Sequence, residues 1–201
     1  MIDRWHDRAE PGPGEGLIYW HMLVGGDPDV IALAREAQRK LTPFTGLHMT
    51  PNAWLHITAL IAGSASEISE EQIRQMAAIA RKHLADTPPI SVTVGKILYH
   101  REAIMLAVQP AEALLPVLDA AREATDQVTG TLARNGNELP WTPHITIAYS
   151  TSRQPAEPII TALGRSLPKR KIRIKELSLV NQRGPERKWD WHPEATVRLG
   201  A

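Results

Sequence analysis

The sequence predicts an α+β fold with a mostly antiparallel sheet. Three observations carry that reading. Strand-like segments come in adjacent pairs mixed with amphipathic helices, not in strict alternation. The two half-chains echo each other, each holding helices and one strand that bears His-Ile-Thr. With 201 residues, 43% of them hydrophobic, the chain can bury a sizeable core as one domain or as two small lobes sharing it.

Residues 1–15 are charged and rich in Pro and Gly. They read as a flexible lead-in with Asp3, Arg4, Asp7 and Arg8 solvated, and 16–201 as a single domain. Leu17–Val24 is apolar enough for a buried strand. Asp27-Pro28 supplies a cap followed by Pro at the first helical position, and the helix runs to about Leu41 on an apolar face of Val30, Leu33, Ala34 and Ala37. Thr42–Asn52 is a loop broken by Pro43, Gly46 and Pro51. Ala53–Ala62 alternates as a strand, with Ala53, Leu55, Ile57, Ala59 and Ile61 on one face and Trp54, His56, Thr58 and Leu60 on the other. Ser69-Glu70-Glu71-Gln72 fits a capping box for a helix to about Asp86, stopped by Pro88-Pro89.

Ile90–Leu98 and Ala103–Gln109 read as a hairpin around His100-Arg101-Glu102. A second long helix spans Pro110–Arg134, with Asn135-Gly136-Asn137 as its stop. Thr142–Tyr149 is a strand with His144 and Thr146 on one face and Ile145, Ile147 and Tyr149 on the other. A short helix over Pro155–Leu167 and strands over Lys171–Gln182 and Thr196–Leu199 complete the chain, with Gly184-Pro185 as a turn.

Several function classes are disfavoured at once. There is no cysteine, which excludes thiolate nucleophiles and thiolate metal sites. A net charge of +1 argues against bulk electrostatic binding of nucleic acid. No signal peptide and no apolar run of about 18 residues is seen, so the expectation is a cytoplasmic protein without a membrane partner. There is no G-x-x-x-x-G-K-[ST] loop for ATP phosphates. The strip Lys169-Arg170-Lys171, Arg173 and Lys175 reads as a solvated strand face.

The chemistry lies in His56-Ile57-Thr58 and His144-Ile145-Thr146, which sit 88 positions apart (144 − 56). In a strand, residues i and i+2 share a face, so each segment presents an imidazole beside a hydroxyl. The greasy alternate residues fix that face by burial. Two facing imidazoles suit phosphodiester chemistry. A neutral one takes a proton from the attacking water or hydroxyl, and a protonated one delivers a proton to the departing oxygen. Thr58 and Thr146 can donate to non-bridging phosphoryl oxygens. A third copy, His48-Met49-Thr50, lacks flanking apolar alternation and reads as a loop with no fixed face.

Paired His-x-Thr strands in this context resemble the 2H phosphoesterase superfamily, and within it the 2′-5′ RNA ligase or cyclic phosphodiesterase branch. The resemblance follows element order from Leu17 to about Leu199. It implies a bilobal protein with two pseudo-symmetric lobes, antiparallel sheets facing a central cleft and helices outside. It implies metal-independent chemistry with no cofactor on a 2′,3′-cyclic phosphate end, or a related 2′-5′ linkage, of a nucleotide or RNA. By resemblance His56 is the proton donor, His144 the acceptor, and Thr58 and Thr146 hold the phosphate. Many members of that branch carry Arg three residues after the second Thr, where this chain has Tyr149. Tyr offers no fixed charge, which leaves Arg153, Arg183 and Arg187 as candidate cations. Neither parity nor spacing tells the two His apart.

Aromatics are unusually weighted toward rings with a polar handle: six Trp, three Tyr, one Phe. Trp54 shares the parity of His56 and suits either stacking on a base or capping a hydrophobic rim. Trp189 and Trp191, near Arg183 and Arg187, suit either a nucleotide wall or packing on the core. His21 is off the apolar parity of the first strand and suits a place in the core or at its rim more than in the cleft lining. A non-catalytic RNA or nucleotide binder using the same cleft is the alternative function. No protein partner is indicated.

Overall fold

Short local signals start and stop the helices. The computed structural model describes residues 1–9, 11–12, 15–130 and 141–200. The Asp27 carboxylate accepts from the Asp29 and Val30 amides and opens α1 (Pro28–Leu41). Ser69 and Gln72 close a reciprocal capping box at the start of α2 (Glu70–Leu84). α3 (Leu115–Thr129) follows a turn of 3₁₀ helix and ends at Gly130, whose φ of 63° is the left-handed stop that glycine accepts without strain. The stop thus falls at Gly130. The sequence expectations for 131–134 and for Asn135-Gly136-Asn137 lie outside the described residues. α4 is Glu157–Leu163. Among the described residues no helix is long and apolar enough to cross a membrane.

The strands are β1 (Gly16–Leu23), β2 (Leu47–Met49), β3 (His56–Ser64), β4 (Ile90–Tyr99) and β5 (Ala103–Gln109). They continue with β6 (His144–Ser150), β7 (Ser166–Ile174), β8 (Glu176–Arg183) and β9 (Trp191–Arg198). All pair antiparallel in the order β7-β4-β5-β6-β3-β1-β8-β9, with β2 on β6. The segment expected as one strand over Lys171–Gln182 is two, broken at Lys175. β7 lies at one edge beside β4, while β8 lies beside β1. A single residue joins strands from different halves, so the sheet curls and draws its halves together at that end.

The sheet has two halves, joined at one residue pair: Ile57 of β3 opposite Ile145 of β6. These halves are not the half-chains. β8 and β9, from the end of the sequence, complete the half begun by β1 and β3. The repeat is strand, helix, strand: β1-α1-β3 and β5-α3-β6, each ending in a His-x-Thr strand. Each connecting helix packs beneath the opposite half, α1 on β6 and β7, α3 on β3 and α2. The core therefore runs unbroken under both halves.

Residues 1–8 do not behave as a loose lead-in. The Ile2 amide donates to the Arg101 carbonyl and the Arg4 amide to the Ser150 carbonyl, both at 2.8 Å.

Trp20 is fully buried beneath the sheet, and its indole N–H donates to the Thr125 hydroxyl of α3 at 3.0 Å. Thr125→Val leaves that N–H buried without an acceptor. We expect a loss of about 1–3 kcal/mol of unfolding free energy in urea titration, with native secondary structure retained.

Candidate active site

The antiparallel register through Ile57 and Ile145 sets the site. With those two opposite each other, His56 falls across from Thr146, and Thr58 across from His144. The two isoleucines are fully buried, which turns the four polar side chains to the other face. A local two-fold between the isoleucines therefore exchanges the two motifs. Trp141, just before β6, secures the pairing, since its indole N–H donates to the Thr58 carbonyl at 3.1 Å.

Each imidazole is held the same way. His56 Nδ1 lies 2.7 Å from the Trp54 carbonyl, and His144 Nδ1 lies 2.8 Å from the Thr142 carbonyl, two residues back in both cases. A carbonyl only accepts, so Nδ1 carries the hydrogen and Nε2 is the nitrogen available for proton transfer. Burial lowers the pKa of both rings below the ordinary histidine value. The charges around them differ. At His56 the nearby Glu186 carboxylate favours the proton while His144 opposes it. At His144 both His100 and Arg4 oppose it.

Behind His56 sits His21, 2% exposed, with ring centroids 4.1 Å apart and its Nδ1 without a hydrogen-bond partner. It is boxed in by Tyr19 at 5.0 Å and Trp191 at 5.9 Å. Its parity is legible in the sequence, but its seat against His56 is not. Burial, with His56 adding to it, holds its pKa well below the ordinary value.

Other expectations shift. Trp54 is not in a strand: Asn52–Trp54 is a 3₁₀ turn, so its parity argument fails. It still reaches the site, meeting Trp191 edge-on at 4.7 Å. Beyond Thr58 the pairing skips Ala59, a bulge that exposes Ile61, expected on the buried face, and packs Leu60 on the core. A bulge at Ile147 does the same in β6, since Thr146 pairs with Met105 but Ala148 with Ile104. Tyr149 is thereby moved off the apolar face. Its phenol comes near the Thr146 side chain, and burial pushes its pKa up.

His48 is not in a loop. β2 pairs it with Tyr149, and its ring lies parallel to Trp189 at 6.3 Å. Trp189 is the one non-glycine with positive φ among the described residues, 56°, and packs with Tyr149 and Trp5 around the site. Arg183 is not brought to the histidines. It lies at the end of β8 and faces Glu194 at 3.9 Å, with its side chain 59% exposed. Sequence reasoning also missed Arg4. Its guanidinium makes a double contact with Glu186 at 3.0 and 3.1 Å and one with Glu102 at 2.9 Å. It lies 5.3 Å from the centroid of the Tyr149 ring. Among the described residues no three His, Asp or Glu side chains gather as a metal site.

A family model, the 2′-5′ RNA ligase superfamily, matches residues 26–186. The chain belongs to the 2′-5′ RNA ligase superfamily. Solved structures of this kind agree in fold. TT0787 of Thermus thermophilus is 20% identical and covers 92% of this chain and 98% of its own, with a TM-score of 0.72. E. coli LigT, solved with ATP, is 14% identical over 93% and 99%, with a TM-score of 0.69. A structure described as a phosphoesterase is 16% identical over 92% and 99%, with a TM-score of 0.64. No curated protein matches the chain. Membership places the chain among the 2H phosphoesterases, and a continuous antiparallel sheet carrying both His-x-Thr strands is how this superfamily member is built.

His21 binds its proton less readily folded than unfolded. Its contribution to stability is therefore full above the unfolded value near 6.5 and is lost as pH falls through the lowered folded value. Thermal melts from pH 7 to pH 5 should show Tm falling, with a shallower fall in His21→Phe. An equal slope in both proteins would contradict this.

Proposed function

We propose that this superfamily member opens 2′,3′-cyclic phosphates, or cleaves or forms the related 2′-5′ linkage, at nucleotide or RNA ends. The observation that carries the reading is the pair of imidazoles related by the Ile57–Ile145 two-fold, both hydrogen-bonded to leave Nε2 for proton transfer. The neighbour E. coli LigT has been solved with ATP, NADP+ and 3′-AMP, which supports a nucleotide ligand.

In hydrolysis, His144 Nε2 takes a proton from water as its oxygen attacks phosphorus. The bond from phosphorus to a ribose oxygen breaks, and His56 Nε2–H gives that oxygen its proton. Glu186 near His56, against Arg4 and His100 near His144, supports this assignment over the reverse. Both rings sit below the ordinary pKa in the free protein. The acid form of His56 therefore depends on the negative charge that a bound phosphate brings. In this reading the Thr58 and Thr146 hydroxyls donate to non-bridging oxygens as charge builds there. Two imidazoles suffice for both proton transfers, so the reaction as drawn needs no metal. The rings of Trp54 and Trp191 offer a flat apolar border for a base.

The test is turnover of 2′,3′-cyclic nucleotides and of cyclic-phosphate-ended RNA in EDTA. We expect activity in the wild type and a drop of about 100-fold or more in each of His56→Ala and His144→Ala. Full turnover by either variant would overturn the acid–base pair. Tight nucleotide binding with no product over hours would instead favour a binding protein using the same cleft.

A further inference from the structure

The charge inventory of the cleft contains a cation that neither motif supplies. Arg4 arrives from the N-terminal segment, which is tied by its backbone to Arg101 and to Ser150 at the end of β6. Trp5 packs beside it, 5.5 Å from both His48 and Tyr149. The guanidinium is spread over the Tyr149 ring and fixed from two sides by Glu186 and Glu102. Its side chain keeps 21% exposure, so it is held firmly yet remains open to a ligand. Burial opposes its charge, but the Glu186 contacts outweigh that and keep it firmly protonated. Its field reaches His144, and Tyr149 in turn touches Thr146.

Two carboxylates at the edge of a site for an anion are a liability, because each repels a phosphate. Glu186 is near enough to act on His56, Tyr19 and Tyr149. Arg8 shares the load at Glu102, at 2.7 Å; the Arg4 guanidinium, between Glu102 and Glu186, cancels much of the remaining repulsion and leaves planar N–H groups for a phosphoryl oxygen. We propose that residues 1–8 form a wall of the catalytic cleft, and that Arg4 is a specificity-determining cation that draws the substrate's phosphate to the His56 and His144 side of it. This rests on the phosphoesterase reading for its substrate, but its test does not.

Inorganic phosphate is the probe, followed by NMR of the His56 and His144 ring protons at low salt. Arg4→Gln should weaken phosphate binding about ten- to a hundredfold, the usual range for one charge-assisted contact. It should also move the His144 titration upward, because a cation that disfavoured its proton is gone. Arg4→Lys should restore part of both. Glu186→Gln discriminates between explanations. If the Arg4–Glu186 pair is only structural, this variant damages binding as Arg4→Gln does. On our account it removes a repulsive charge and leaves Arg4 freer, so binding is unchanged or tighter. Wild-type phosphate affinity in Arg4→Gln, or equal weakening in both variants, overturns the proposal. Loss of phosphate binding in Arg4→Gln beside a wild type that turns over neither a cyclic phosphate nor a 2′-5′ linkage sustains the proposal and overturns the phosphoesterase reading instead.

Discussion

One residue pair carries the geometry of this protein. Ile57 and Ile145 meet where the two halves of the sheet join, and the bridge between β3 and β6 is this single pair. Because both are buried, the neighbours on each strand must face the other way. Because the pairing is antiparallel, each His is set opposite the other strand's Thr. A slip of one residue would turn the whole constellation into the core. The structure guards this register from two directions: Trp141 donates to the Thr58 carbonyl, and the Gln38 side chain of α1 donates to the Ile147 carbonyl within β6 and to the Thr50 carbonyl just after β2. The crossed helices add to this, because moving one half would strip a helix from the other.

Symmetry in the backbone is combined with asymmetry in charge. The same carbonyl two residues back holds each ring in the same tautomer, and burial lowers both pKa values. That pair alone has no preferred direction of proton flow. In the proposed reaction, direction comes from groups outside the repeat: Glu186, from the turn before β9, acts on His56, while Arg4 and His100 act on His144. On that proposal the symmetric part supplies proximity and the asymmetric part supplies roles.

Parity is a sound guide wherever a strand is regular. It places His56 with Thr58 and His144 with Thr146, and the Asp27 and Ser69 caps are readable because they act within four residues. It fails at the bulges. Ala59 and Ile147 each add one residue, which no local pattern announces, and so Ile61 emerges and Tyr149 swings toward Thr146. Trp54 is displaced by a 3₁₀ turn following Pro51, and Trp189 by a left-handed residue. Arg4 could not be found at all. Its partners lie 98 and 182 positions away, and charge composition alone reads such a residue as solvated. The Trp-rich composition does point somewhere real. Trp191, with Trp54 against it, borders His56, and Trp5 and Trp189 pack on His48 and Tyr149, while Trp20 belongs to the core.

The most direct test of a coupled imidazole pair is the pH dependence of kcat/KM for hydrolysis of a 2′,3′-cyclic nucleotide. This quantity reports the free enzyme, in which both rings lie below the ordinary histidine value. A coupled pair gives a bell whose maximum falls on the acid side of neutrality, with limbs that belong to the pair. Residual activity of His56→Ala should lose the alkaline limb, and that of His144→Ala the acid limb. A profile that climbs steadily into alkaline pH, or a bell that survives intact in either variant, would contradict it.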